Sequence, residues 1–294
     1  MSPPSTWVVP AYAKLNLSLS VVGRRADGWH DIDSVLVPID WHDLVGLSVT
    51  LTDRDRLSLN VTGPAAAGVP TGDANLTTRA ARALSLLAGR PLDIRLWLSK
   101  SVPHGAGLGG GSADAAAVLR AGTAMLAALG VATDPAEVAA VALSIGTDIP
   151  ALLEVHAHRV RGRGERVERL SSPSLHVAVA STVPSSTPAT YASLRPEELG
   201  DDGRSARLAD ALRAGSVPTH SLLGSGLERA ACRADGALAI ALQRARNAVA
   251  GIDWHLTGSG GAVFALAAGP AAAEQVAAAM RSAGFNARAC RTIG

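Results

Sequence analysis

Five glycines fall within seven positions of P-H-G-A-G-L-G-G-G-S-A-D-A-A-A, residues 103–117: Gly105, Gly107, Gly109, Gly110 and Gly111. Glycine lets a backbone take positive φ and approach a ligand closely. Successive N–H groups in such a loop form an anion nest. The alanine-rich stretch that follows, from about Ser112 to Leu129, has helical composition. A helix N-terminus adds unpaired N–H groups and partial positive charge, and Ser112 adds a hydroxyl. Together these make a phosphate cradle; the bland alternative is a tight turn in an alanine-rich chain. The segment is not a Walker loop, which needs Gly-Lys-Ser/Thr after four spacers. Residues 105–110 do spell G-x-G-x-G-G, but a dinucleotide fingerprint sits in a parallel βαβ unit, which the surrounding pattern does not supply.

Of the 27 basic residues only Lys14 and Lys100 are lysines, and the rest are arginines. A lysine is a compact point charge, whereas an arginine is a broad planar fork. Lys14 lies among alternating leucines. Lys100 stands three residues before Pro103, where a strand runs into the cradle, and is placed to reach phosphates; a surface strand end is the alternative. Gly258, Ser259, Gly260 and Gly261 make a second nest or a plain hairpin turn. His156 and His158 share a strand face without a third ligand nearby, which argues against a metal site there.

These residues need elements to hold them. Leu15, Leu17, Leu19 and Val21 alternate with polar or small residues, which predicts a half-buried strand from Lys14 to Val22. Residues 24–28, R-R-A-D-G, are a turn. Strand character returns at 35–51, 57–61 and 94–98, and a helix opens at Asn75. Asp134-Pro135-Ala136-Glu137 is a helix start with a capping carboxylate and proline in the first turn. Strands are expected around 151–160 and 175–180. Helices follow at 188–195, 204–214, 220–232 and 236–248. The C-terminal part reads strand (252–257), glycine turn, strand (262–268), helix (270–283), strand (285–291). The pattern is α+β rather than doubly wound. A boundary near residue 160 divides the chain into an N-terminal domain, 1–160, and a C-terminal domain, 161–294.

The bulk numbers set limits. A chain of 294 residues with 48% hydrophobic and 18% charged residues can bury a large core and is not disordered. A net charge of +2, with acids interleaved in the Arg159–Arg169 stretch, argues against nucleic-acid binding. Two cysteines make no disulfide framework. No secretory signal or convincing membrane span is legible, so the expectation is a cytoplasmic protein that binds no membrane. Oligomeric state is not legible.

The glycine segment resembles the second motif of the GHMP kinases. Its G-G-G-S form is most similar to their 4-diphosphocytidyl-2-C-methyl-D-erythritol kinase branch. A-Y-A-K-L-N-L-S-L, residues 11–19, is similar to that branch's opening A-K-[LV]-N-L. R-R-A-D-G-W-H, residues 24–30, resembles R-x-D-G-Y-H, with Trp29 in place of the usual tyrosine. Gly162-Arg163-Gly164-Glu165 resembles a recurring G-x-G-E, and residues 256–264 resemble the third GHMP motif. The resemblance implies a two-domain α+β GHMP-kinase fold with a ferredoxin-like C-terminal domain. It implies ATP as co-substrate, Mg²⁺, and transfer to the 2-hydroxyl of a cytidine diphosphate substrate. Asp148, in I-G-T-D-I-P, becomes the catalytic base, with Lys14 as the ammonium that holds it and the transferring phosphate.

The resemblance also implies that ATP is bound by Lys100, Pro103, His104, Gly105, Ala106, Gly107, Leu108, Gly109, Gly110, Gly111, Ser112 and Ala113, with Ser112 a candidate for Mg²⁺. Substrate contacts fall on Asn16, Trp29, His30, Thr187 and Tyr191, and the cytosine is expected between Trp29 and Tyr191. Ser225-Gly226 replaces the family's Asn-Asp. The alternatives are a GHMP kinase for homoserine or a mevalonate derivative, which carry no base to stack, and a non-catalytic nucleotide sensor of the same fold.

Overall fold

The alternating leucines near the N-terminus do form a strand, and it is longer than its pattern suggests. In the computed structural model, which describes residues 6–294, β1 runs Trp7–Arg24. After a turn at Gly28, β2 runs His30–Leu51. From Ala13 to Val21 every residue of β1 is buried. The half-buried strand expected there is therefore buried on both faces. The polar half of its alternation is satisfied internally: the Ser18 hydroxyl pairs with that of Ser205 at 2.9 Å, and Ser20 donates to Asp202 at 3.0 Å. Buried polar groups are tolerated only with such partners.

The described chain clusters into two compact units that interleave along the sequence. The first takes the described residues up to Ala13, then 42–104 and 109–154. It holds β3 (Arg56–Thr62), α1 (Leu76–Ala88), β4 (Leu92–Ser99), α2 (Gly110–Ala128), α3 (Pro135–Ile145) and α4 (Ile149–Leu152). Its strand order is β3-β4-β2-β1. β3 and β4 are parallel, so a crossover must join them, and α1 lies between them in the chain. Asn75 caps α1 by accepting from the Thr77 N–H at 2.8 Å, and Asp134 caps α3 through Ala136 at 2.9 Å. Leu84, Leu92, Ile94, Leu96 and Leu98 are nearly free of solvent and form this unit's core.

The second unit takes 14–41, 105–108 and 155–294. Here β5 (His158–Gly162) lies antiparallel to β2, and β6 (Arg166–Arg169) folds back on β5. Beyond them come β7 (His176–Ser181), α5 (Thr187–Ala192), α6 (Arg204–Arg213), β8 (Gly224–Ser225), α7 (Glu228–Ala234) and α8 (Gly236–Ala248). The chain closes with β9 (His255–Leu256), β10 (Ala262–Ala267), α9 (Pro270–Ser282) and β11 (Asn286–Arg291). β8 pairs parallel with β1, through Ser18 and Leu19. The second sheet has the order β11-β7-β10-β9, all antiparallel. Ranked by position in the chain that is fourth, first, third, second, the ferredoxin-like arrangement expected for this part. Its core gathers Leu238, Leu242, Trp254, Leu256, Val263 and Met280.

Two expected elements differ. The strand anticipated at 151–160 starts as the short helix α4, because Pro150 sits in a helical first turn, and strand geometry begins only at His158. The helix anticipated at 220–232 is split into a 3₁₀ turn at His220–Leu222, the bridge strand β8, and α7 from Glu228. Gly224 has φ +104°, which a right-handed helix cannot contain. Among the described residues no helix is long and apolar enough to cross a membrane.

Candidate active site

The glycine segment contributes to both units, and each half is built differently. In the second unit, the backbone N–H of Lys14 donates to Leu108 O at 2.9 Å, which pins the segment to β1. The Lys14 ammonium donates to Gly107 O at 3.0 Å and to Asn16 Oδ1 at 2.6 Å. Asn16 in turn donates its amide to Ser34 Oγ at 2.8 Å, and its backbone N–H goes to Thr257 Oγ1 at 2.8 Å. Lys14 and Asn16 are each only 4% exposed. Asn16 therefore orients Lys14, using one lone pair and one hydrogen of its side-chain amide.

Gly107 explains why this half needs glycine. Its φ is +72°, and a Cβ there would stand 2.4 Å from Gly260 O. The second nest thus packs directly under the first. Gly258, Gly260 and Gly261 all have positive φ, of +60°, +117° and +93°. Ser225 donates to Gly258 O at 2.6 Å and accepts from the Leu227 N–H at 3.2 Å. That is what the departure at Ser225-Gly226 does here: it supports the nest from below. Thr187 Oγ1 lies 2.7 Å from Ser259 Oγ, tying α5 to the same turn.

In the first unit the segment enters from β4 and leaves into α2, and a buried charge cluster fastens the two ends. Lys100, 3% exposed, pairs with Asp43 of β2 and with Asp114 of α2, the latter at 2.6 Å. Asp43 Oδ1 also accepts from the backbone N–H groups of Ser101 at 2.5 Å and Val102 at 2.8 Å. Burial pulls the Lys100 ammonium down, but the two carboxylates outweigh it and the net shift is upward. Burial pushes Asp114 up to about 7; Lys100 opposes the rise and Asp43 adds to it. The sequence predicts that Lys100 reaches phosphates as an open point charge. Instead its ammonium is held between two buried acidic side chains, so it braces the loop. Asp43 and Asp114 were not anticipated. Asp114 lies inside the glycine motif, but nothing around Asp43 in the sequence signals its role.

Of the other ATP-site candidates, His104 is exposed, Ala106 and Leu108 are buried, and Gly109 precedes α2. The Gly109 carbonyl accepts from the Ala113 N–H at 2.8 Å, which closes the first turn of α2. Asp148 is half-buried just before α4, and its side chain does not cap that helix.

A group of aromatic residues sits in the second unit. His30 and Tyr191 have ring centroids 5.2 Å apart, tilted by 36°. Arg163 covers the Trp29 ring, its guanidinium carbon 4.9 Å from the centroid. Burial, and secondarily the nearby Arg24, hold the His30 imidazole below its ordinary value. It is therefore neutral at neutral pH, with one ring nitrogen donating and the other accepting. That suits the edge of a pyrimidine base.

Magnesium in phosphoryl transfer is held mostly by nucleotide oxygens and water, so it needs one or two protein oxygens rather than a cage. No group of three or more His, Cys, Asp or Glu among the described residues has the arrangement of a cage. Ser112, in the first turn of α2, offers a hydroxyl that fits the lesser requirement.

Residues 75–154 match the model of the GHMP kinases N terminal domain, and residues 208–286 that of the GHMP kinases C terminal domain. The chain is 37% identical over 286 residues to a 4-diphosphocytidyl-2-C-methyl-D-erythritol kinase of Thermus thermophilus, covering 93% of this chain and 92% of the relative. It is 37% identical over 276 residues to the Xanthomonas campestris pv. campestris enzyme of the same name, covering 93% and 86%. A solved 4-(cytidine 5'-diphospho)-2C-methyl-D-erythritol kinase superposes with TM-score 0.78 at 34% identity, covering 98% of this chain and all of that one. A homoserine kinase from Cytophaga hutchinsonii shares the fold, with TM-score 0.65 at 17% identity, covering 100% of this chain and 96% of that one.

Proposed function

The chain belongs to the GHMP kinases, and on that premise we propose that it transfers the γ-phosphate of ATP to the 2-hydroxyl of 4-diphosphocytidyl-2-C-methyl-D-erythritol, in non-mevalonate isoprenoid precursor synthesis. The observation that carries the acceptor is identity across nearly the whole chain to kinases of that name. The fold supports only the kinase class, since a homoserine kinase has it too.

Phosphoryl transfer asks a protein for position and charge more than for covalent chemistry. In this proposal the N–H groups of the glycine segment and the start of α2 receive the ATP phosphates. Lys14, aimed by Asn16, neutralises charge on the transferring group. Asp148 accepts the proton of the attacking hydroxyl. Asp148 also orients the hydroxyl for attack. Magnesium, when bound with ATP and the Ser112 hydroxyl, spreads the negative charge of the phosphates. Trp29, His30 and Tyr191 take the cytosine. We also propose the boundary near residue 160 as the division between the two family regions, and the cytoplasm as the site of action.

Asp148→Asn tests the assignment. Turnover should fall at least about a thousandfold, the scale of a lost general base plus orientation, while ATP affinity by calorimetry stays within about threefold. Retained turnover in this variant rejects Asp148 as the base.

A further inference from the structure

Trp29 stands where the resemblance expects tyrosine, and the structure gives it a partner that no motif specifies. Arg163 lies in the turn between β5 and β6. That turn is closed on itself: the Arg163 N–H donates to Glu165 Oε2 at 2.6 Å, and the Gly164 N–H to Arg161 O at 3.3 Å. The guanidinium is thereby presented from a fixed backbone, 4.9 Å from the indole centroid, well within cation–π range.

Trp29 is held from its main chain as well. Its N–H donates to Asp27 Oδ1 at 3.1 Å, and Asp27 pairs with Arg25 at 3.3 Å. Although partial desolvation opposes it, the Asp27 carboxyl lies below the usual range, because the Trp29 N–H and Arg25 favour its ionised form and Arg163 adds to them. Main chain and ring are thus both tethered, yet Trp29 is still 51% exposed. An indole of this size left half in water contributes little to the core. A ligand that stacks on it gains because the ring is already ordered.

We propose that Arg163 is a positioning residue for cytidine-substrate recognition: its guanidinium covers one face of the Trp29 indole and so holds the other face for the base. This rests on the cytidine reading of the function. Arg163 touches the ring and not the reacting atoms, so it acts on substrate affinity and leaves the phosphoryl step alone. A base on the free face stacks against an indole that a cation already polarises. Lysine at this position would keep the charge but lose the planar overlap.

The test is steady-state kinetics on the full chain with ATP and the cytidine substrate, comparing the parent, Arg163→Ala, Arg163→Lys, Trp29→Leu and the double variant Arg163→Ala/Trp29→Leu. Arg163→Ala should raise KM for the cytidine substrate about two- to fivefold, the scale of an exposed cation–π contact. Its kcat and its KM for ATP should not change, and Arg163→Lys should fall between. In the Trp29→Leu background, Arg163→Ala should have no further effect. The part of the fluorescence lost on Trp29→Leu should be quenched more readily by acrylamide in Arg163→Ala than in the parent, because the uncovered indole face is open; equal quenching would count against the contact. An unchanged KM for the cytidine substrate overturns the proposal while leaving the functional reading intact. So does an effect that persists without Trp29, or one shared equally with ATP. If the parent enzyme does not turn over the cytidine substrate at all, the functional reading fails and takes the proposal with it.

Discussion

At the smallest scale the proposed reaction turns on Lys14. Its ammonium is almost fully buried and bonded to Asn16 and to the carbonyl of Gly107. An arginine there would have to fit a longer, planar group into space shaped for a point charge. Lys14→Arg should therefore lower kcat by about a hundredfold or more while the protein stays folded by circular dichroism, on the scale of losing a preorganised charge; near-parental kcat would remove Lys14 from the mechanism. Lys14 could be singled out in the sequence because it is one of only two lysines and sits in a short motif on an alternating strand. The other lysine shows the limit of such inference. Lys100 also borders the cradle, but its environment is set by Asp43, 57 positions away in sequence. Nothing local to W-H-D-L announces that Asp43 caps two backbone N–H groups and neutralises an ammonium. Long-range pairing of buried charges leaves no period and no spacing to read. Arg163 over Trp29 escaped the sequence for the same reason.

At the scale of elements, helices with capped ends were legible nearly to the residue, as at Asn75 and Asp134, because the cap is itself a local hydrogen bond. The segment 220–232 was not, since Gly224 and Gly226 look like weak helix residues until β1 supplies a partner for the bridge strand β8. In the proposed site the conformation of the nests is what receives the phosphates. Gly107→Ala should place a Cβ against the Gly260 carbonyl at positive φ. The loop must then shift and carry with it the carbonyl that Lys14 uses. Calorimetry should show ATP binding weakened by about tenfold or more, and unchanged affinity would mean that the loop accommodates a side chain freely. β9 offers an independent prediction. His255 lies 3.2 Å from His220 and packs on Phe264. Burial first, and then repulsion from His220, lower it to about 4. The unfolded chain binds a proton near pH 6.5 that the folded chain refuses until about 4, so this residue lowers stability as pH falls through that window. His255→Gln should lessen the drop in Tm between pH 7 and pH 4. An identical drop in parent and variant would show that His255 is not part of the acid response.

For the whole molecule, fold and reaction class separate from acceptor choice. Homoserine and mevalonate kinases superpose over nearly all of this chain with TM-scores of 0.65 at 17% and 14% identity. The architecture is therefore shared, and the acceptor must be chosen by local groups. In the proposed site those groups are the His30 imidazole, the Tyr191 phenol and the Trp29 indole beside Arg163, which suit a base rather than an aliphatic acid. A site built to pair with polar edges rejects acceptors that lack them by large factors, because its own groups are left unpaired. The most direct test is coupled ADP release with ATP and Mg²⁺, offering 4-diphosphocytidyl-2-C-methyl-D-erythritol, homoserine and mevalonate side by side. kcat/KM for the cytidine substrate should stand at least about a thousandfold above either of the others; comparable or faster turnover of homoserine or mevalonate would contradict the assignment of the acceptor.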